Sequence, residues 1–143
     1  MKDLIGITVL LSLFMINACS KKVEKERDSE LQVISIHELK IKSGVNETEF
    51  EAFVMNEIAP LYRQIEGQDL FLAKGYVGQK TGQYVIFITF QTLEQRNKTY
   101  LSTGDSEELK KVMEGKDDLW DKFYTMAEGF DGIQCTDYVK VDY

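Results

Sequence analysis

The chain has 143 residues, a formal net charge of −7 and a single histidine, with a sequence pI near 4.8. An acidic chain with no basic cluster repels phosphate backbones, which argues against nucleic acid as a partner. One histidine and two cysteines leave too few soft ligands for a structural zinc site, and no metal is expected.

After Met1-Lys2-Asp3 comes an apolar stretch from Leu4 to Ile16. Crossing a bilayer takes ~20 apolar residues, so this stretch is too short to span and reads instead as the core of a secretory signal peptide. Its end, Ile16-Asn17-Ala18-Cys19, resembles a bacterial lipobox. The resemblance implies cleavage after Ala18, removing residues 1–18, and acylation of Cys19. Two or more acyl chains anchor a protein stably, while the domain itself stays in water. The implied partner is therefore a membrane, reached through lipid, and the implied location is the bacterial cell envelope. By the same resemblance, Ser20 after the cysteine suits the outer membrane better than the inner. Residues 19–30 follow as lipidated cysteine and tether. Between Ser20 and Glu30 four positive and four negative charges accompany one apolar residue, which is too little to fold.

Residues 31–143 read as one domain. "LQVISIHELKIK" alternates as a strand over 31–42, with Val33, Ser35, His37, Leu39 and Ile41 on one side. Asn46 and Glu49 form a capping box for a helix whose stripe runs Phe50, Phe53, Val54, Ile58, Leu61, Tyr62 and Ile65. Pro60 lies inside that helix and should kink or split it; Gly67 ends it. Residues 69–78 and 84–91 are two strands joined by the turn "QKTGQ", a hairpin. Thr92 and Gln95 cap a short helix carrying Leu93, Tyr100 and Leu101, and Asp105 with Glu108 offers another cap. Leu109, Val112 and Met113, then Leu119, Trp120, Phe123 and Ala127, continue helically to Gly129. Residues 134–142 alternate as a last strand.

The order β-α-β-β-α-β, with the second helical region in pieces over 102–129, is the ferredoxin-like plan: an α+β fold with a four-stranded antiparallel sheet and helices on one face. The middle strands are apolar on both sides: Tyr84, Ile86, Ile88 and Phe90 against Val85 and Phe87, and Leu70 and Leu72 against Phe71 and Ala73. An open apolar face of that extent is unusual on a soluble monomer, so a second copy pressed sheet to sheet is expected, giving a homodimer. "FEAFVMNEIAPLYRQIEG", "LFLAKGYVG" and "YVIFITFQTLEQRNKTY" are similar to the dimeric α/β-barrel superfamily, which includes antibiotic-biosynthesis-monooxygenase-like and NIPSNAP-like domains. That resemblance implies a small-ligand cleft between sheet and helices.

His37, Tyr62, Tyr84 and Trp120 are the cleft candidates. Each also has a plain reading: His37 as a strand histidine bonded to a neighbour or facing the dimer seam, the tyrosines as margin residues, Trp120 as core. The Asn-Trp-His set of haem-degrading relatives finds no match in order or placement here, so those roles are not carried over. Cys135 reads as a small buried residue near a strand. Asp117, Asp118 and Asp121 read as a solvated helix face. No nucleotide or nucleophile-elbow motif occurs. The leading expectation is a non-enzymatic, lipid-anchored module that dimerises and binds a small apolar ligand with no cofactor. The alternative is a cofactor-independent monooxygenase-like enzyme on a small aromatic or quinone-type substrate, and haem bound through His37 is the weaker third.

Overall fold

The computed structural model describes residues 32–102, 104–130 and 135–141; the expected signal segment, Cys19 and the expected tether lie outside the described residues. Strand β1 (Val33–Ile41) buries alternate side chains, as a strand covered on one side should. Its antiparallel partners are β3 (Tyr84–Phe90) on one flank and β7 (Cys135–Val139) on the other. Strand β2 (Gln68–Lys74) pairs antiparallel with β3 at the edge. The long strands therefore run β2-β3-β1-β7, and a short strand, β6 (Ala127–Glu128), pairs with the end of β1. This strand order, with helices on one face, is the ferredoxin-like fold.

Helix α1 (Glu47–Phe53) begins where the sequence places it: the Asn46 side chain accepts from the Glu49 backbone N–H at 3.1 Å. The expected disturbance at Pro60 takes the form of a π-turn over Val54–Ile58, ahead of α2 (Ala59–Tyr62). Pro60 has no N–H to give, and just before it the Ala59 N–H reaches back to Val54. Axial continuity survives, and Phe50, Val54, Ile58, Leu61 and Tyr62 all stay buried. Gly67 then takes φ +69°, which is what needs glycine at this turn; the end of the flexible Gln95 side chain packs where a Cβ would stand.

The rest departs from the sequence expectation in detail. Strand β2 ends at Lys74 rather than 78, because Gly75 turns the chain toward the loop. Helix α3 (Leu93–Thr99), capped by Thr92, stops before Tyr100 and Leu101. Those two residues form β4 (Tyr100–Leu101), paired in a minimal hairpin with β5 (Gly104–Asp105). Asp105 is consequently strand, and the cap of α4 (Glu107–Met113) is Ser106, whose hydroxyl accepts from the Leu109 N–H at 3.1 Å. Helix α5 (Asp117–Met126) carries Asp117, Asp118 and Asp121 on its exposed side and buries Phe123 and Met126. Among the described residues no helix is long and apolar enough to cross a membrane.

The core lies between the helices and the inner sheet face. Phe50, Val54, Ile58, Leu70, Ile86, Phe90 and Phe123 are completely enclosed there. Among the described residues no helix covers the outer face. Ile34, Ile36, Ala73, Val85 and Phe87 are only half-buried on it, Phe71 is 40% and Tyr138 54% exposed. Phe71 and Phe87, paired across β2 and β3, stack at 4.9 Å with their planes 11° apart.

Candidate functional site

The inner face divides down its length. On β2 and β3 its residues are Leu70, Leu72, Ile86 and Ile88, under α1 and α2. On β1 and β7 the registers Ser35↔Asp137 and His37↔Cys135 set four polar side chains in a square. Directly paired residues of an antiparallel ladder project to the same face with neighbouring Cβ atoms. Above this square no long helix lies. A cleft of about 630 Å³ opens instead, bounded by the square's Ser35, His37 and Cys135, by Arg96 of α3, and by Tyr62 and Tyr100.

Arg96 organises the polar wall. Its Nη2 meets Asp137 Oδ2 at 2.6 Å, and its guanidinium lies 5.8 Å from the Tyr100 ring centroid. The other oxygen of Asp137 accepts from the Ser35 hydroxyl. Arg96, Asp137 and Ser35 thus bind α3, β7 and β1 into one network across a chain separation of 102 residues between Ser35 and Asp137. Arg96 Nε is buried with no protein acceptor among the described residues.

The opposite wall is aromatic. The Tyr62 and Tyr100 phenols lie close enough to act on each other. Burial pushes the Tyr62 phenol well above its ordinary range, with Tyr100 and then the Asp105 carboxylate adding to the effect. Burial, followed by the Asp105 charge, pushes Tyr100 up to about 12. The buried Gln68 amide lies close enough to Tyr100 to ease that shift, yet completes no hydrogen bond within the described residues. Both phenols are uncharged hydrogen-bonding groups at neutral pH. Phe130 closes the end of the cleft, its ring 4.8 Å from that of His37. It is aimed there by Gly129, at φ +99°, where a Cβ would strike the Glu38 carbonyl oxygen at 2.4 Å.

The four candidates named from sequence separate. His37 faces inward and lines the cleft, so it is not at an outer dimer seam. It is only 7% exposed and its ring is tilted against that of Phe130. Tyr62 lines the cleft as well. Tyr84 does not: it stands at the other end of the sheet, where its hydroxyl donates to Glu51 at 2.5 Å and Lys74 covers its ring. Trp120 lines a smaller adjoining recess, not the main cleft. Tyr100, one of the phenols that the sequence offers as ligand-bonding groups beside Tyr62, Tyr76 and Tyr84, lines the cleft; Arg96 and Asp137 were missed. Alternation in 134–142 does place Cys135 and Asp137 on one face, and pairing that face with the Ser35–His37 side of β1 would have found the square. Arg96 left no signal of its own.

A half-apolar, half-polar cavity between sheet and helices defines a ferredoxin-like domain with an open intra-protomer cleft. No protein-family model and no curated protein matches the chain. A solved structure described as a dimeric protein of unknown function and ferredoxin-like fold, from Bacteroides fragilis, is similar to it: 17% identity, covering 76% of this chain and 96% of that one, with a TM-score of 0.40.

Proposed function

We propose that the chain is a lipid-anchored protein of the bacterial cell envelope, held through Cys19, whose domain dimerises and binds a small, largely apolar ligand in the cleft. The observation that carries the binding reading is the cleft itself: about 630 Å³ with His37, Arg96, Tyr62 and Tyr100 converging on it. A concave site of this size on which polar groups converge is the default form of a small-molecule site. The test is a screen of small aromatic compounds against the purified chain, read by changes in melting temperature. Hits abolished by Tyr100→Ala but retained by Tyr84→Phe support the reading; no hits, or hits indifferent to Tyr100, refute it.

Dimerisation is supported by the outer sheet face, where Ile34, Ile36, Val85, Phe87, Phe71 and Tyr138 form one patch on four strands. A second copy is the occupant that matches a flat, self-complementary apolar surface. Sedimentation velocity should give a dimer for the native chain and a folded monomer for Phe87→Asp. A monomeric native chain would remove this part. For the anchor, Cys19→Ser should abolish lipid labelling and leave the precursor unprocessed.

One observation favours a second reading, an enzyme on a small aromatic or quinone-type substrate: the only histidine of the chain faces the cleft. Histidine is the usual general base near neutral pH. Oxygen uptake with a panel of hydroquinones, lost in His37→Ala, would establish it; uptake unchanged by that substitution would exclude His37 as the base.

A further inference from the structure

On its solvent side the cleft continues into an open recess of about 260 Å³, sharing Tyr62, Tyr100, Asp105 and Phe130 with it and adding Trp120 and Tyr124. The lining is mostly aromatic, and the rings are held in place. Trp120 stacks on Phe130 at 5.7 Å with planes 14° apart, and Tyr62 meets Phe130 edge-on at 6.3 Å. The Tyr124 hydroxyl donates to the Phe130 carbonyl at 2.9 Å. Trp120 and Tyr100 are nevertheless half-buried and Tyr124 is 46% exposed, so ring surface remains available to a ligand.

Asp105 sets the charge of this recess. It is directly opposite Tyr100 in the β4–β5 hairpin, and its carboxylate acts on both the Tyr100 and Tyr62 phenols. Of the cations nearby, Arg96 and Lys110 are committed elsewhere, and Lys111 lines a separate recess that Asp105 also borders. Arg96 is paired with Asp137 at 2.6 Å, and Lys110, which also feels Asp105, is paired with Glu107 at 2.7 Å. Among the described residues no cation is within ion-pair distance of Asp105. Electron-rich ring faces beside a carboxylate with no ion-pair partner among the described residues attract a positive charge; tryptophan is the strongest of the aromatic partners. An anion would be repelled by Asp105, and a neutral apolar group would take water from that carboxylate without replacing it. The chain's net charge of −7 biases the approach the same way.

We infer that the recess seats a substituted ammonium group, and that the ligand of the main cleft is a small organic cation whose apolar or aromatic body extends toward His37 and Arg96. This rests on the reading of the main cleft as a small-molecule site. The chain holds a single tryptophan, so Trp120 fluorescence reports on the recess alone.

The experiment titrates the full-length chain, in a non-ionic maltoside detergent, with benzyltrimethylammonium, its neutral carbon isostere neopentylbenzene, and benzoate. Binding is read by Trp120 fluorescence and by calorimetry. The ammonium compound should perturb Trp120 and bind at least about tenfold more tightly than the neutral isostere, the ratio given by ~1.4 kcal/mol. Asp105→Asn should reduce that preference several-fold without lowering the melting temperature, and Trp120→Phe should weaken ammonium binding, seen by calorimetry. Equal affinity for ammonium and isostere, preference for benzoate, or a preference unchanged in Asp105→Asn overturns the inference while leaving the cleft a ligand site. Failure of all three compounds to bind overturns both readings.

Discussion

The two halves of the inner sheet face use the same backbone ladder for opposite ends. On β2 and β3, branched and aromatic side chains meet the stripe of α1 and α2: Phe50, Ile58, Leu70 and Ile86 have no exposed surface. On β1 and β7, Ser35, His37, Cys135 and Asp137 replace such residues, and a cavity takes the place of a helix. Polar side chains buried on a sheet face cost stability unless they find partners. Ser35 and Asp137 find them in each other and in Arg96. The lesson is that one half of the layer holds the fold, so that the other half can stay open.

Cutting a side chain from each half breaks or sharpens that comparison most directly. Phe50→Ala removes a ring packed edge-on against Tyr84 and tilted against Phe123. It should cost about 3–5 kcal/mol in urea unfolding, in the range for buried phenylalanine. Ser35→Ala, on the open half, should cost about 1 kcal/mol. Similar losses at the two positions would contradict the division.

The phenol pair gives the next effect. The raised values of Tyr62 and Tyr100 mean the folded state holds those protons more tightly than the unfolded chain does. Their contribution to stability is full below the ordinary tyrosine value of 10 and is lost as pH rises toward about 12. Ultraviolet titration should show Tyr62 and Tyr100 ionising late, together with Tyr84, which burial and Glu51 also push up. The double variant Tyr62→Phe, Tyr100→Phe should remove the part of that late step that belongs to the cleft pair and flatten the alkaline loss of stability.

The smallest effect lies at the boundary of the open half. Ser106→Ala deletes the cap of α4 and should cost ~1 kcal/mol. Asp105→Asn should leave helix stability unchanged, because Asp105 is a strand residue facing the recess. A reversed result would restore the cap assignment suggested by the Asp105–Glu108 spacing.

Legibility followed the range of the interactions. Caps at Asn46 and Thr92, the stripe of α1, and the alternation of β1 and β3 are local patterns, and all were readable in the chain. The exposed second face of β2 and β3 was readable too, since alternation predicts both sides of a strand at once. The consequence of Pro60 was foreseen, but not its π-turn form, which depends on the ladder around it. The end of α3 was misplaced because Tyr100 fits a helical stripe as well as it fits a strand; only its pairing with Asp105 decides. A cleft between sheet and helices was an expectation of the family resemblance, and His37 and Tyr62 were legible as separate residues for it; how its walls are composed was not legible. Its polar square depends on the register of strands more than ninety residues apart in the chain, and Arg96 enters it only through α3.

The central claim is that ligand recognition is confined to the open half. The most direct measurement is a backbone amide NMR titration of the chain with the aromatic compounds that bind it. Shifts should cluster at Ser35, His37, Tyr62, Arg96, Tyr100 and Cys135 and leave Phe50, Leu70 and Ile86 unmoved. Shifts spread over the closed half, or centred on Phe71 and Phe87 of the outer face, would contradict it.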